Sequence, residues 1–159
     1  MVDDIPVGKG AGSSFGDEQA PTKLAVGHPD DAKPLDERLV SKAWAVRKTA
    51  FEELIVIISK FDKGTSNQIM NEHAAKWKKY LEEPNPGAME KVLECFHAYI
   101  DKCAPALLGS MQNSVYVSVI DKCLGAAKPN LKIKSMECML LLFEVSENFT
   151  DETLDVLQA

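Results

Sequence analysis

At 159 residues the chain is long enough for one ordinary domain, and a hydrophobic fraction of 45% suffices for a real core, carried mostly by aliphatic packing because aromatics make up 7%. A formal net charge of -6 argues against broad nucleic-acid binding, which needs a basic face to displace counterions. No run of about 18 apolar residues is present to span a membrane, and the polar start from Met1 to Ala20 lacks the charged-then-apolar pattern of a secretory signal.

Residues 1–33 read as a flexible tail. Gly8, Gly10, Gly12, Gly16 and Gly27 fall there with Pro6, Pro21 and Pro29, and the sparse apolar residues show no period. Such a segment cannot bury enough surface to offset its ordering entropy. Gly10-Ala11-Gly12-Ser13-Ser14 is too incomplete for a phosphate loop.

From Pro34 the pattern becomes helical. Ala43, Val46, Ala50, Leu54, Ile57, Ile58 and Phe61 recur at mostly three- and four-residue intervals, one apolar face of a first helix. A second runs from Met70 to Leu81, anchored by Trp77, Tyr80 and Leu81. Met89, Val92, Phe96, Tyr99 and Cys103 mark a third. Leu107 to Leu124 form a fourth, with Val115, Val119, Ile120 and Cys123 inward, and its β-favouring run Val115–Val119 is read as helix from its flanks. Ile133, Met136, Leu140 and Phe143 mark a fifth, and Thr153 to Leu157 start a sixth. Gly64, Pro84, Pro86, Gly87, Gly125 and Pro129 punctuate the joins, and Pro105 stands where a first helical turn tolerates proline.

The helices repeat. Ala50, Leu54 and Ile57 align with Val92, Phe96 and Tyr99 at a shift of 42 residues, and those with Met136, Leu140 and Phe143 at 44. Trp77 and Leu81 align with Val119 and Cys123, again at 42. A period in the low forties built from helix pairs predicts an all-α solenoid of HEAT-type repeats, about two and a half of them, spanning residues 34–159. The alternative is a helical bundle of similar helix lengths. A single pair cannot bury its own apolar face, so neighbours stack and share a core.

Binding residues gather on the turns that such a scaffold displays. Trp44 lies one position past Ala43, off the apolar stripe, among Lys42, Arg47 and Lys48. It either packs against Leu35–Val40 or serves as an exposed aromatic anchor, a type favoured at interface hot spots. Lys128, Lys132 and Lys134 form a positive stretch at a helix start, with no acidic residue between Lys122 and Glu137. Cations there oppose the helix dipole, which hints at an acidic partner. Cys95, Cys103, Cys123 and Cys138 form no CxxC pair and are expected as buried, reduced thiols of a cytosolic protein, with no metal and no cofactor. His28, His73 and His97 have no acid or thiol arranged as a motif, so catalysis is not expected. Asn148-Phe149-Thr150 matches a glycosylation sequon without an export signal.

Pro34 to Lys48, followed by Phe51-Glu52-Glu53-Leu54, resembles the opening of the TOG domains of microtubule polymerases: a short leader, a lysine (Lys42), a tryptophan two residues later (Trp44), an arginine three after that (Arg47), then an aromatic-Glu-Glu helix. Met89-Glu90-Lys91 and Ala126–Glu137 fall where that family has its second and third tubulin-facing turns, and the resemblance covers residues 34–157. It implies a monomeric, non-enzymatic module that binds the free αβ-tubulin dimer along one loop edge, in the cytoplasm, at microtubule ends and the spindle pole. Trp44 with Arg47 would form the first contact, Asn85, Pro86, Gly87 and Lys91 the second, and Lys128, Lys132 and Lys134 the third. Tubulin is acidic, so the lysines would steer encounter and the tryptophan would add apolar contact. Family domains continue for several more repeats. The expectation is therefore a fragment or short gene product that exposes an uncapped apolar face and binds tubulin more weakly than a full domain. A HEAT-type adaptor with another protein partner is the alternative.

Overall fold

A computed structural model describes residues 27–145 and Gln158. The sixth helix expected at Thr153–Leu157 lies outside these residues, as does most of the expected tail. Part of that tail carries local structure. A 3-10 turn, Pro29–Ala32, is closed by His28, whose Nδ1 accepts from the Asp30 amide, and Ser41 Oγ donates to Asp30 Oδ2 at 2.6 Å.

A short helix α1 (Leu35–Arg38) leads into α2 (Trp44–Ser59), then α3 (Gln68–Ala74), α4 (Trp77–Tyr80), α5 (Pro86–Lys102), α6 (Pro105–Gly125) and α7 (Pro129–Val145). The starts follow local chemistry. Asn67 Oδ1 accepts from the Met70 amide to cap α3, and Asn85 Oδ1 accepts from the amides of Gly87 and Ala88 to cap α5. Pro86 and Pro105 occupy first turns, where their missing N–H is no loss. Val115–Val119 is helical, as its flanks predict. The single helix predicted over Met70–Leu81 is instead two, parted at Ala75–Lys76 by tighter hydrogen bonds that end on the His73 carbonyl. Trp77, the first residue after the break, is fully buried.

The helices form two layers. In one, α2 packs on α5 and α5 on α7; in the other, α3 and α4 pack on α6. This is the predicted HEAT-type α-solenoid, and Val46, Ala50, Leu54, Val92, Phe96, Tyr99, Val115 and Val119 are all buried as their spacing requires. The centre is more aromatic than composition suggests. Trp77 stands 4.9 Å from Phe96, 5.1 Å from Tyr99 and 5.3 Å from Tyr80, centroid to centroid, and Phe51 meets Tyr80 edge-on at 5.1 Å. Tyr99 Oη donates to the Met70 carbonyl at 2.6 Å, tying the layers together.

One register is corrected. Ile133, Met136, Leu140 and Phe143, aligned from sequence with the inward stripes, are exposed, whereas Ser135, Cys138 and Leu142 are buried against α5. Helix α7 is apolar on two faces, so periodicity could not choose between them. Small size decides. Ser135 turns its hydroxyl back to the Leu131 carbonyl at 2.8 Å, and Cys138 Sγ reaches the Leu93 carbonyl at 3.4 Å, which lets the helices approach closely.

Candidate loop edge for partner binding

The turns preceding α2, α5 and α7 share one edge of the stack. The turns following α2 and α5 meet on the other, where Thr65 N donates to Lys102 O and Ala104 N to Thr65 O, both at 2.9 Å, and Lys63 pairs with Asp101 at 3.1 Å. These links hold the spacing of the first two helix pairs from behind. The candidate binding residues lie on the first edge.

Trp44 is the first residue of α2 and is 46% exposed. Its ring lies over the second turn: a β-carbon added at Gly87 would stand 3.7 Å from Trp44 Cζ3 and 3.3 Å from Asn85 Oδ1. The structure thus joins the first and second predicted contacts. Arg47, one helical turn beyond Trp44, points the other way in role. Its Nε and Nη2 donate to the two oxygens of Glu83, each at 2.6 Å, and Nη1 donates to the carbonyls of Ser41 and Lys42 at 2.6 and 3.0 Å. The Glu83 side chain is 4% exposed and that of Arg47 16%. Burial pushes the Glu83 carboxyl up, but the Arg47 guanidinium and the Asn85 amide, which donates at 2.9 Å, more than reverse this and hold it below its ordinary value. The same hydrogen bonding to Glu83 raises Arg47.

Asn85 spends its side-chain oxygen on capping α5. Lys91 and Lys134 are partly buried in an ion ladder across the outer surface of three helices: Lys91 Nζ lies 3.9 Å from Glu52 and 2.9 Å from Glu94, and Lys134 Nζ lies 2.8 Å from the other oxygen of Glu94. Burial pushes Glu94 up and the two lysines bring it down below its usual range. Lys128 and Lys132 are exposed at the head of α7, and among the described residues no carboxylate lies within ion-pair distance of either. The edge therefore offers Trp44 and the Lys128–Lys132 pair to a partner, while Arg47, Asn85, Lys91 and Lys134 are engaged within the fold.

Sequence reasoning missed Glu83, because a pair 36 positions apart leaves no local signal. It also missed Gly87 as the surface under Trp44. The four thiols are buried, with Cys95 and Cys138 fully so, and burial pushes Cys138 up to about 12. His73 is buried and shares a hydrogen bond of 3.0 Å with the Tyr80 hydroxyl, and His97 lies apart from it on α5.

A two-layered stack of helix pairs that displays its spare aromatic and cationic groups on one row of turns is a HEAT-type repeat module. Within that class the chain belongs to the XMAP215/Dis1/CLASP TOG-domain family, whose model matches residues 31–159. It is 30% identical over 130 residues to Centrosomal protein 224 of Dictyostelium discoideum, covering 82% of this chain and 6% of that protein. It is 30% identical over 113 residues to Spindle pole body component alp14 of Schizosaccharomyces pombe, covering 70% and 14% respectively, and 28% identical over 114 residues to Protein mini spindles of Drosophila melanogaster, covering 72% and 5%. The chain thus spans a small part of each of these relatives. A solved chain, from work on the structural basis of tubulin recruitment and assembly by microtubule polymerases with Tumor Overexpressed Gene (TOG) domain arrays, matches its fold with a TM-score of 0.65 at 18% identity, over 76% of this chain and 25% of that one.

Proposed function

We propose that this chain is a monomeric tubulin-binding module that supports microtubule growth and spindle organisation, acting by binding rather than catalysis. It contacts the αβ-tubulin dimer through the turns before α2, α5 and α7. The observation that carries this reading is Trp44, a large aromatic left 46% exposed at the head of a helix and braced by a neighbouring turn. An indole held in that way adds contact area at little entropic cost. Lys128 and Lys132 supply the positive potential that would draw an acidic partner onto the same edge. The relatives named for the spindle pole body, the centrosome and the spindle support a cytoskeletal site of action, at microtubule ends and the spindle pole. The solved chain of matching fold comes from work on tubulin recruitment and assembly by microtubule polymerases.

Titrating unpolymerised tubulin with the purified chain and with Trp44→Ala tests it. The expected result is saturable binding that weakens roughly tenfold in the variant, the scale of a modest hot spot, with an unchanged melting temperature. Equal affinity of the two proteins would remove the central contact from the proposal.

A further inference from the structure

We infer that the second turn is the seat of Trp44: the Arg47–Glu83 pair and the close approach of Gly87 together hold the indole in its half-exposed position. The inference deepens the tubulin-binding reading and rests on it for its effect on affinity.

The geometry is a cross-link between two turns. One guanidinium donates to four oxygens. Two are the Ser41 and Lys42 carbonyls of the first turn and two are the carboxylate oxygens of Glu83 in the second. Each turn is then closed on itself. The Ala43 amide donates to Ser41 Oγ at 3.2 Å, and the Asn85 amide donates to Glu83 Oε1 at 2.9 Å. Trp44 follows directly from the first turn and Gly87 directly from the second, so the cross-link sets the distance between them. At that distance the indole packs on backbone. A β-carbon at position 87 would touch Trp44 Cζ3 at 3.7 Å, ordinary contact, and crowd the capping Asn85 Oδ1 at 3.3 Å, so a branched side chain there presses on both the ring and the turn that holds it. Asn85, which a contact role would leave pointing outward, instead directs its oxygen into the same turn. An aromatic fixed in this way loses little rotamer freedom when a partner covers it.

Iodide quenching of intrinsic fluorescence reads the seat directly. The chain has two tryptophans, and Trp77 is 0% exposed, so an aqueous quencher reports Trp44. Glu83→Gln and Gly87→Val disturb the seat from its two sides, and the second serves alone where the first fails to fold. The expected result in each is a changed quenching constant together with a roughly tenfold loss of affinity for unpolymerised tubulin. In a Trp44→Ala background the same substitutions are expected to change affinity by less than about twofold, because coupled groups lose their effect when the partner is gone. An unchanged quenching constant overturns the inference, and so does a loss of affinity that persists in full without Trp44, since the substitutions would then act other than through the indole. Should Trp44→Ala leave tubulin affinity intact, the tubulin-binding reading falls, and the quenching constants still decide whether the turn seats the indole.

Discussion

At Glu83, burial and charge act in opposite directions, and the balance has a stability consequence. Its folded pKa is held below the ordinary value, so its contribution is fully present above the unfolded carboxylate value near ~4.3 and is lost as pH falls through the folded value. Glu83→Gln removes the charge and replaces one of the two oxygens that accept from Arg47 with an amide nitrogen that cannot. We expect a loss of about 2 kcal/mol at neutral pH by urea denaturation, since a buried charged hydrogen-bonded pair is broken. We also expect a shallower decline in stability below about pH 4 than in the wild type. An equal acid decline in both proteins would assign that transition to other carboxylates. The position of Trp44 off the apolar stripe was legible in the sequence, but that left packing on Leu35–Val40 and exposure both open, and the structure leaves it 46% exposed. The engagement of Arg47 was not legible, because its partner lies 36 residues away and only the stacking of α2 beside α5 brings them together. The ion pairs of Lys91 and Lys134 were not legible for the same reason: their carboxylates, Glu52 and Glu94, lie on α2 and α5 and meet the lysines only once the helices stack.

Among the elements, α5 was readable from its single apolar stripe, and α2 and α6 from apolar spacing bounded by Gly64, Pro105 and Gly125. Two features were not. The Ala75–Lys76 break carries no glycine or proline and arises from packing Trp77 between Tyr80, Phe96 and Tyr99. Helix α7 offers two apolar stripes, and the small residues Ser135 and Cys138, not the larger ones, select the inward face. This register makes a sharp contrast. Leu142 is fully buried and Leu140 is 64% exposed. Leu142→Ala is expected to cost ~2–5 kcal/mol, and Leu140→Ser less than about 0.5 kcal/mol, both by chemical denaturation. The reverse order would restore the register that periodicity alone suggested.

Across the whole molecule, the two edges of the stack differ in chemistry. One is stitched by the Thr65–Cys103 bridge and the Lys63–Asp101 pair. The other carries Trp44 and the exposed Lys128 and Lys132 on an otherwise acidic chain. Reversing both lysines to glutamate is expected to slow association with unpolymerised tubulin roughly tenfold at low salt. The difference should shrink as salt is raised, with little change in melting temperature, and stopped-flow mixing would measure it. A rate that ignores both the substitution and the salt would place the electrostatic contact elsewhere. The ion ladder from Glu52 through Lys91 and Glu94 to Lys134 instead ties α2, α5 and α7 into one surface.

Amide hydrogen exchange of the chain, free and with saturating unpolymerised tubulin, tests the assignment of the binding edge most directly. Added protection is expected over residues 40–45, 84–88 and 126–133, and none over residues 60–66 and 103–106. Protection confined to the opposite edge, or absent from all three turns under conditions where tubulin is bound, would contradict it.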